Sequence, residues 1–477
     1  MTQAARDIDQ TIVTQDAIII PRKRGVKTIE VDDELMVDIR ELARDKASAI
    51  LLNIITDLHE ADIAEIINHL EPEEQNFVFN LLETSNASAV LLELDAAVRQ
   101  QLLETLPSEK ISAYVDHLAS DDAADLVAEL PHLIAEKVLR AMSAAESTDV
   151  KELMQYAQDT AGGIMGTEFV AVNMRDTIKQ AIRKVRASAK DNTVIYNVYV
   201  VDDQGVLVGV LPLQSLVLHS PNRRVYKIME GDAKSIDTDV DQEQVASMFR
   251  KYDLVSLPVV DKIGRLVGRI TIDDVVDVIE EEHNEDVARM IGSDAEELER
   301  RSPYQIAMLR LPWVLITLVI QFLAGLVVAF YNTTLRDVIL LASFMPIISA
   351  ISGNTGLQSA ALVIRALATG HASLDQWWRA IFRQVQTTLI IGFACGLVLG
   401  TIGTLWHGKW QFGFIVGLSI FISINISGII GTSAPMISKR LGFDPALTAG
   451  PFETAFQDVV GITIFLSLAT LLLSWIA

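Results

Sequence analysis

Asp458 lies where a carboxylate is hard to keep. It falls in Pro451–Gly461, PFETAFQDVVG, at the head of an apolar run that continues as ITIFLSLATLLLSWIA. Roughly 20 apolar residues cross a bilayer. An acid at the centre of such a helix costs about 2.5–3.5 kcal/mol on insertion scales, so it normally faces a water-filled path or a partner charge. No Lys or Arg lies well inside another apolar run, which weakens the salt-bridge reading and favours an ion pathway lined by Asp458. Two more polar, helix-perturbing stretches occur in the same half: Pro346 followed by Ser352–Gln358 (SGNTGLQ), and Asn425-Ile426-Ser427-Gly428 followed by Pro435. Small residues let helices pack closely, but proline and glycine also free carbonyls that can line a hydrated cavity. Asn354, Gly356, Asn425, Gly428, Pro435, Glu453, Thr454 and Gly461 are therefore expected to line the path. One carboxylate among hydroxyls and carbonyls is a hard, all-oxygen environment. Mg²⁺, which keeps most of its water and takes one or two carboxylates, fits best; Ca²⁺, Mn²⁺ and Co²⁺ stay open. Glu453 adds a second acid. Five residues apart on a helix, it and Asp458 point about 140° away from each other, so they need not share an ion.

A second place for cation chemistry is the soluble half. The first 302 residues carry a net −26 and the remainder +3. Such an acidic domain repels nucleic acid and anionic lipid, whereas divalent cations suit clustered carboxylates. The acids crowd where the soluble half meets the first apolar run. A helix is expected from about Ile272 toward Gly292, with Val275, Val278 and Ile279 as a narrow apolar stripe. Asp274, Asp277, Glu281, Glu282, Glu285 and Asp286 surround it. Unpaired like charges at helical spacing repel, which makes this helix a candidate cation-responsive linker. No G-x-S-x-G, P-loop, H-E-x-x-H or cysteine pair is present, Cys395 being the single cysteine, so no enzyme chemistry is expected.

Three kinds of element must position these groups: an all-α helical-repeat domain, an α/β tandem repeat and an α-helical membrane domain. Residues 1–44 read as a poorly ordered start with one helix near Val31–Arg44. Leucine then recurs at 58, 70, 82, 94, 106, 118 and 130, a beat of 12. Two such units make a 24-residue helix pair, the signature of a helical solenoid, placed at 45–160. Residues 161–276 hold a tandem α/β repeat. Asp202 and Asp261, Gly205 and Gly264, and Gly209 and Gly268 match at an offset of 59, and the Asp-x-x-Gly turns read as hairpins. The acidic linker occupies 277–302 and the membrane domain 303–477. Five apolar runs are placed at Leu311–Tyr331, Val338–Ile364, Gln384–Leu405, Phe412–Ile437 and Thr454–Ile476, with Ser373–Arg383 as an amphipathic helix on the inner surface. Arg300, Arg301, Arg310, Arg365, Arg379, Arg383, Lys439 and Arg440 flank one side of the membrane, against Arg336 and Lys409 on the other. Positive charge marks the cytoplasmic side. With no apolar signal core in MTQAARDIDQ, the soluble half is expected in the cytoplasm and the C-terminus outside.

The tandem repeat resembles the paired CBS (Bateman) module, in which a Thr/Ser-x-x-Asp after the last strand can hold the ribose of an adenine nucleotide. Thr271 and Asp274 match in the second repeat, while Pro212–Ser215 lacks both residues. The resemblance implies ATP in one half only, or no nucleotide. From about residue 45 onward the whole order resembles the MgtE family of magnesium channels, most specifically in SGNTGLQ, Gly442-Phe443-Asp444-Pro445-Ala446 and the P-x-x-T-x-x-x-D-x-x-G pattern ending at Gly461. That resemblance implies a homodimer with a pore on its two-fold axis, Asp458 holding the hydrated permeating ion, and the linker helix as a plug closed by cytosolic Mg²⁺. The matching regulatory acids would be Asp121 and Asp125, Asp253 and Asp274, and Asp277, Glu282, Glu285 and Asp286. Two departures stand out: Ser352-Gly353-Asn354 where the family commonly has Gly-Gly-Asn, and Glu453-Thr454-Ala455 where it commonly has Val-Thr-Thr. The rivals are a carrier coupling Mg²⁺ to Na⁺ or H⁺ and a membrane-anchored Mg²⁺ or nucleotide sensor.

Overall fold

The structure is a computed structural model that describes residues 33–144, 146–188, 194–290, 303–368, 377–446 and 450–472. Outside them lie the expected disordered start up to residue 32, linker residues 291–302, the first four residues of the expected surface helix, and the final run beyond Leu472. The chain divides into two compact units, Met1–Leu118 with His132–Met142, and Ala119–Pro131 with Ser143–Ala477.

The first unit is all helical: α1 Asp33–Arg44, α2 Ser48–Ile55, α3 Glu60–Asn68, α4 Pro72–Phe79, α5 Thr84–Glu93, α6 Ala96–Thr105, α7 Ser108–Val115 and, after α8 Ser120–Glu129 of the other unit, α9 His132–Ala141. From α3 to α9 a helix begins every 12 residues, which is the leucine beat made structural. Each unit spends eight to ten residues on a helix and the rest on its turn; Leu94 and Leu106 end their helices in extended conformation. Pro72 opens α4, where its missing N–H costs nothing, and Glu71 and Glu74 close a reciprocal capping box. Alternate helices α3, α5, α7 and α9 pack in series. Their inward faces bury Ile63, Ile67, Val90, Leu91, Ile111, Val115 and Val138, each contributing about 1.5–3 kcal/mol by burial.

The second unit begins with α8 and α10 (Glu146–Leu153), which pack on each other. Two three-stranded sheets follow, β1-β2-β3 and β4-β5-β6. The first comprises Ala171–Asn173, Asn197–Val201 and Leu207–Pro212; the second Ile236–Asp237, Ser256–Val260 and Leu266–Thr271. Each pairs its first two strands in parallel and its last two as an antiparallel hairpin. In both hairpins the turn aspartate accepts two backbone N–H bonds, Asp202 Oδ1 from Gln204 and Val206 and Asp261 Oδ1 from Ile263 and Arg265. Gly205 and Gly264 take φ of +83° and +80°, a region that disfavours side chains. The connecting helices are α11 Ile178–Ser188, α12 Leu213–Leu218 and α13 Gln242–Tyr252. The hairpins also bond to each other: Leu207 N–H donates to Gly264 O and Leu266 N–H to Gly205 O.

Directly from β6 runs α14, Ile272–Met290, the expected acidic helix. Beyond it come α15 Pro303–Phe330, the short α16 Asn332–Asp337, α17 Leu341–Ala368, α18 Trp377–His407, α19 Trp410–Arg440 and α20 Pro451–Leu471. Five of these are long and apolar enough to cross a membrane. Pro312, Pro346 and Pro435 lie inside helices rather than at their ends. The expected inner-surface helix is corrected: from Trp377 to Arg383 the chain forms the first two turns of α18, continuous with the span. Helices α18 and α19 meet through glycines. A Cβ on Gly396 would stand 2.8 Å from Gly417 O, and one on Gly400 2.9 Å from Gly413 O, so both positions require glycine. The helical core holds Phe344, Ile348, Phe412, Ile420, Ile424 and Phe465.

Candidate ion site and acidic clusters

Asp458 sits on α20, half-buried. Its Oδ1 accepts a hydrogen bond of 2.5 Å from Ser349 Oγ of α17, and its Oδ2 accepts one from Gln321 Nε2 of α15. Gly353 lets α17 come close, since a Cβ there would stand 3.4 Å from Thr454 Cγ2 and 3.8 Å from Asp458 Oδ1. Gly461, one turn on, does the same beside Ser352 Oγ. A carboxylate so held keeps lone pairs free for a hydrated cation, because each oxygen can accept more than one bond.

The other path residues divide. Thr454 and Gly461 share the Asp458 surroundings with Gly353. Asn425 and Gly428 instead meet α18: Asn425 Oδ1 accepts from Thr388 Oγ1 at 3.0 Å, and a Cβ on Gly428 would run into Thr388. Asn354 is exposed and Pro435 buried. Glu453 is only 2% exposed and turns toward Gly356 of α17 and Ser427 of α19. Ser349 and Gln321 were not singled out from the sequence. Gln321, a lone amide in an apolar run, was the available signal.

The first acidic cluster joins the N-termini of α8 and α14. Ser120 leads α8 and donates from its N–H and Oγ to the two oxygens of Glu168, at 2.9 and 3.0 Å. Asp274 accepts from Thr271 N–H and Oγ1 at 2.9 and 2.7 Å, so it caps α14. Burial, then the charges of Asp274, Asp122 and Glu168, hold the Asp121 carboxyl well above the usual carboxylate range. Burial first, then Asp274, Asp125, Asp273 and Asp277, pushes Asp122 up to about 7. Of the expected residues, Asp121, Asp125, Asp274 and Asp277 thus act on one locality, joined by Asp122, the neighbour that leaves the register of the Asp121 assignment open in the sequence, and by the unexpected Glu168 and Asp273. Asp253 ends α13 in left-handed conformation, φ +51°, and is not among the leading charges on Asp121 and Asp122.

A second cluster forms around the last turns of α14. Gln242 Nε2 donates to Glu282 Oε1 at 2.9 Å. Arg289 pairs with Glu285 and with Asp444, which lies between α19 and α20. Burial, then Asp444, Glu243 and Glu282, raises Asp286 to about 6; burial also raises Glu285 and Glu243. Asp444, from the Gly442–Ala446 motif, is the addition here. Among the described residues no three acidic, histidine or cysteine side chains stand ready as a metal cage. A cation would have to draw the acids together.

These shifts fix a pH dependence. A raised carboxylate pKa means that the folded arrangement holds the extra proton. Without metal, its contribution to stability is full below the unfolded value near 3.8 and is lost as pH rises through about 7 for Asp122 and about 6 for Asp286. A divalent cation must displace those protons. Its apparent affinity, read from cation-dependent thermal stabilisation, is expected to fall about tenfold or more from pH 8 to pH 6. An affinity flat across that range would mean that neither carboxyl group holds a proton at neutral pH.

Comparison with known proteins follows the same order of parts. Residues 58–159 match the MgtE intracellular N domain, 161–221 and 225–281 the CBS domain, and 345–468 the MgtE divalent cation transporter model. The "Magnesium transporter MgtE" of Bacillus subtilis is 31% identical over 92% of this chain and 97% of its own length. Its namesake from Thermus thermophilus is 32% identical over 93% and 99%. A crystal structure of the cytosolic domain of the Mg²⁺ channel MgtE in complex with ATP is similar over 51% of this chain and 99% of that one, at 34% identity and a TM-score of 0.48. With helical repeats, CBS pair and apolar helices matched in sequence along nearly the full length of these relatives, the chain belongs to the MgtE family.

Proposed function

We propose that the chain is a magnesium channel of the cytoplasmic membrane, closed by cytosolic Mg²⁺ that binds its acidic soluble half. The setting of Asp458 supports the ion: one carboxylate, one hydroxyl and one amide make a hard site suited to a cation that keeps its water. The curated relatives are magnesium transporters by name. The observation that carries the gating is that acids converge on both ends of α14. Its first turn stands among Asp121, Asp122, Asp125 and Asp277, its last among Glu243, Glu282, Glu285, Asp286 and Asp444. Without cations these charges push the helix away from its neighbours; bridging Mg²⁺ ties it down. This is a ligand shifting a two-state equilibrium by binding one state better.

In this reading residues 45–160 form the helical-repeat domain, 161–276 the CBS pair, 277–302 the plug and 303–477 the membrane domain. The soluble half and N-terminus face the cytosol and the C-terminus lies outside. Two copies form a homodimer whose Asp458 residues share one hydrated ion, with Asp253 a further regulatory ligand. Other hard divalent cations compete for the same sites. ATP, if bound at Thr271 and Asp274, acts on the residues that cap α14, so it reports directly to the plug.

Mg²⁺ uptake into proteoliposomes, with an imposed potential and no Na⁺ or pH gradient, tests the reading. Uptake should follow voltage and shut off as Mg²⁺ on the cytosolic face reaches the millimolar range. Uptake that demands a counter-ion gradient would make the protein a coupled carrier, and no uptake at all would leave it a sensor.

A further inference from the structure

The gating scheme leaves Glu453 without a task. Its side chain is 2% exposed, and neither carboxyl oxygen has a hydrogen-bond partner. It enters on the first turn of α20 and fills the space left by Gly356. A Cβ there would run into Oε1 and lie 2.7 Å from Ser427 Oγ. The surrounding hydroxyl donors are already spent. Ser427 Oγ donates to Ser352 O, and Ser352 Oγ to the carbonyls of Ile348 and Ser349 at 2.8 and 3.0 Å. The Gln457 amide stands beside the carboxyl group, and its Nε2 also reaches Ser427 O at 3.5 Å. The basic residues of the two facing helices are Arg365, nine residues beyond Gly356, and Lys439 and Arg440, at the end of α19. Oxygens therefore gather around Glu453, with the Gln457 amide as the donor group beside it. Such a locus calls for a cation, since a buried carboxylate without a partner is costly. A hydrated Mg²⁺ does not suit carboxyl oxygens sealed from solvent in this way, as it gives up water reluctantly. A proton would satisfy one of the two oxygens; a metal ion can engage both.

We propose that Glu453, with Ser427 Oγ and the Gln457 amide oxygen, forms an internal site for one dehydrated monovalent metal ion of sodium size. The charge of Asp458 acts on Glu453, so the two sites are coupled. Filling the inner site removes a negative charge near Asp458 and weakens its hold on Mg²⁺. This coupling rests on the reading of Asp458 as the site of the permeating ion; sodium binding itself does not.

The test uses the purified full chain in detergent, without Mg²⁺, in NaCl, KCl or N-methylglucamine chloride at equal ionic strength. Na⁺ should raise the midpoint of thermal unfolding in a saturable way, K⁺ less so, and the shift should vanish in Glu453→Gln and persist in Asp458→Asn. In proteoliposomes the half-saturating Mg²⁺ concentration should be about threefold higher in Na⁺ than in N-methylglucamine and independent of Na⁺ in Glu453→Gln. Coincident unfolding curves in the three salts, equal shifts in Na⁺ and K⁺, a Na⁺ shift retained by Glu453→Gln, or stabilisation that tracks pH and not Na⁺ would each overturn the proposal. Should Glu453→Gln fail to fold, Ser427→Ala and Gln457→Leu carry the comparison, each weakening Na⁺ binding several-fold, and unchanged binding in both would count against the site. A Na⁺ shift of the expected kind together with undiminished Mg²⁺ uptake by Asp458→Ala would defeat the Asp458 reading and leave this site intact.

Discussion

Asp458→Ala is expected to lower voltage-driven Mg²⁺ uptake into proteoliposomes by about 100-fold or more. Asp458 supplies the charge of the proposed ion site, and its two partners, Ser349 and Gln321, are neutral. Removing a charged acceptor from such a site forfeits about 1.5–3 kcal/mol per charge-assisted bond, and each 1.4 kcal/mol is tenfold in occupancy. Asp458→Asn separates charge from shape. It keeps the volume and a hydrogen-bonding oxygen but not the charge, so it should lose nearly as much uptake as the alanine variant. Ser349→Ala and Gln321→Leu each remove one neutral donor and should cost about tenfold or less. Wild-type uptake by a well-folded Asp458→Ala protein, judged by its elution as a single species, would remove Asp458 from the ion path.

Where local chemistry repeats along the chain, the sequence was readable. The leucine beat of 12 foretold one helix per unit because a turn must fall after every eight to ten helical residues. The Asp-x-x-Gly pairs foretold two hairpins because their turns need a side-chain acceptor at the start and a positive φ at the end. Glu453 and Asp458 were separable by helix geometry alone, and the structure points the first at Gly356 and Ser427 and the second at Ser349 and Gln321. What remained hidden depends on which helix faces which. Nothing in Asn425-Ile426-Ser427-Gly428 says that Asn425 meets Thr388 while Ser427 meets Ser352. Glu168 and Asp273 joined the acidic cluster only through tertiary folding, 47 and 152 residues from Asp121 along the chain. The surface helix was misjudged because Trp377, Trp378, Arg379 and Arg383 have the same composition whether a helix lies on a membrane or enters it.

Neutralising Glu282, Glu285 and Asp286 together, as Glu282→Gln, Glu285→Gln and Asp286→Asn, should leave uptake high at millimolar cytosolic Mg²⁺ that closes the wild type. The three acids ride on the last turns of α14 and face Glu243 and Asp444. In the proposed gating, repulsion opens this junction and bridging Mg²⁺ closes it. The variant loses both the repulsion and the bridge. Arg289 decides which loss dominates. Its guanidinium already pairs with Asp444 and Glu285, and the triple change removes Glu285 but leaves the Asp444 pair. If that ion pair alone could hold α14 against the α19–α20 segment, the variant would be closed at every Mg²⁺ concentration. A half-exposed pair is worth about 1 kcal/mol or less, whereas moving a gate from mostly open to mostly closed takes about 5.5 kcal/mol of differential binding. The bridge outweighs the pair, so the expected variant is open and insensitive to Mg²⁺. Inhibition by Mg²⁺ at the wild-type concentration would show that the last turns of α14 are not where the cation acts, and a variant closed at all concentrations would assign the latch to Arg289 and Asp444 instead.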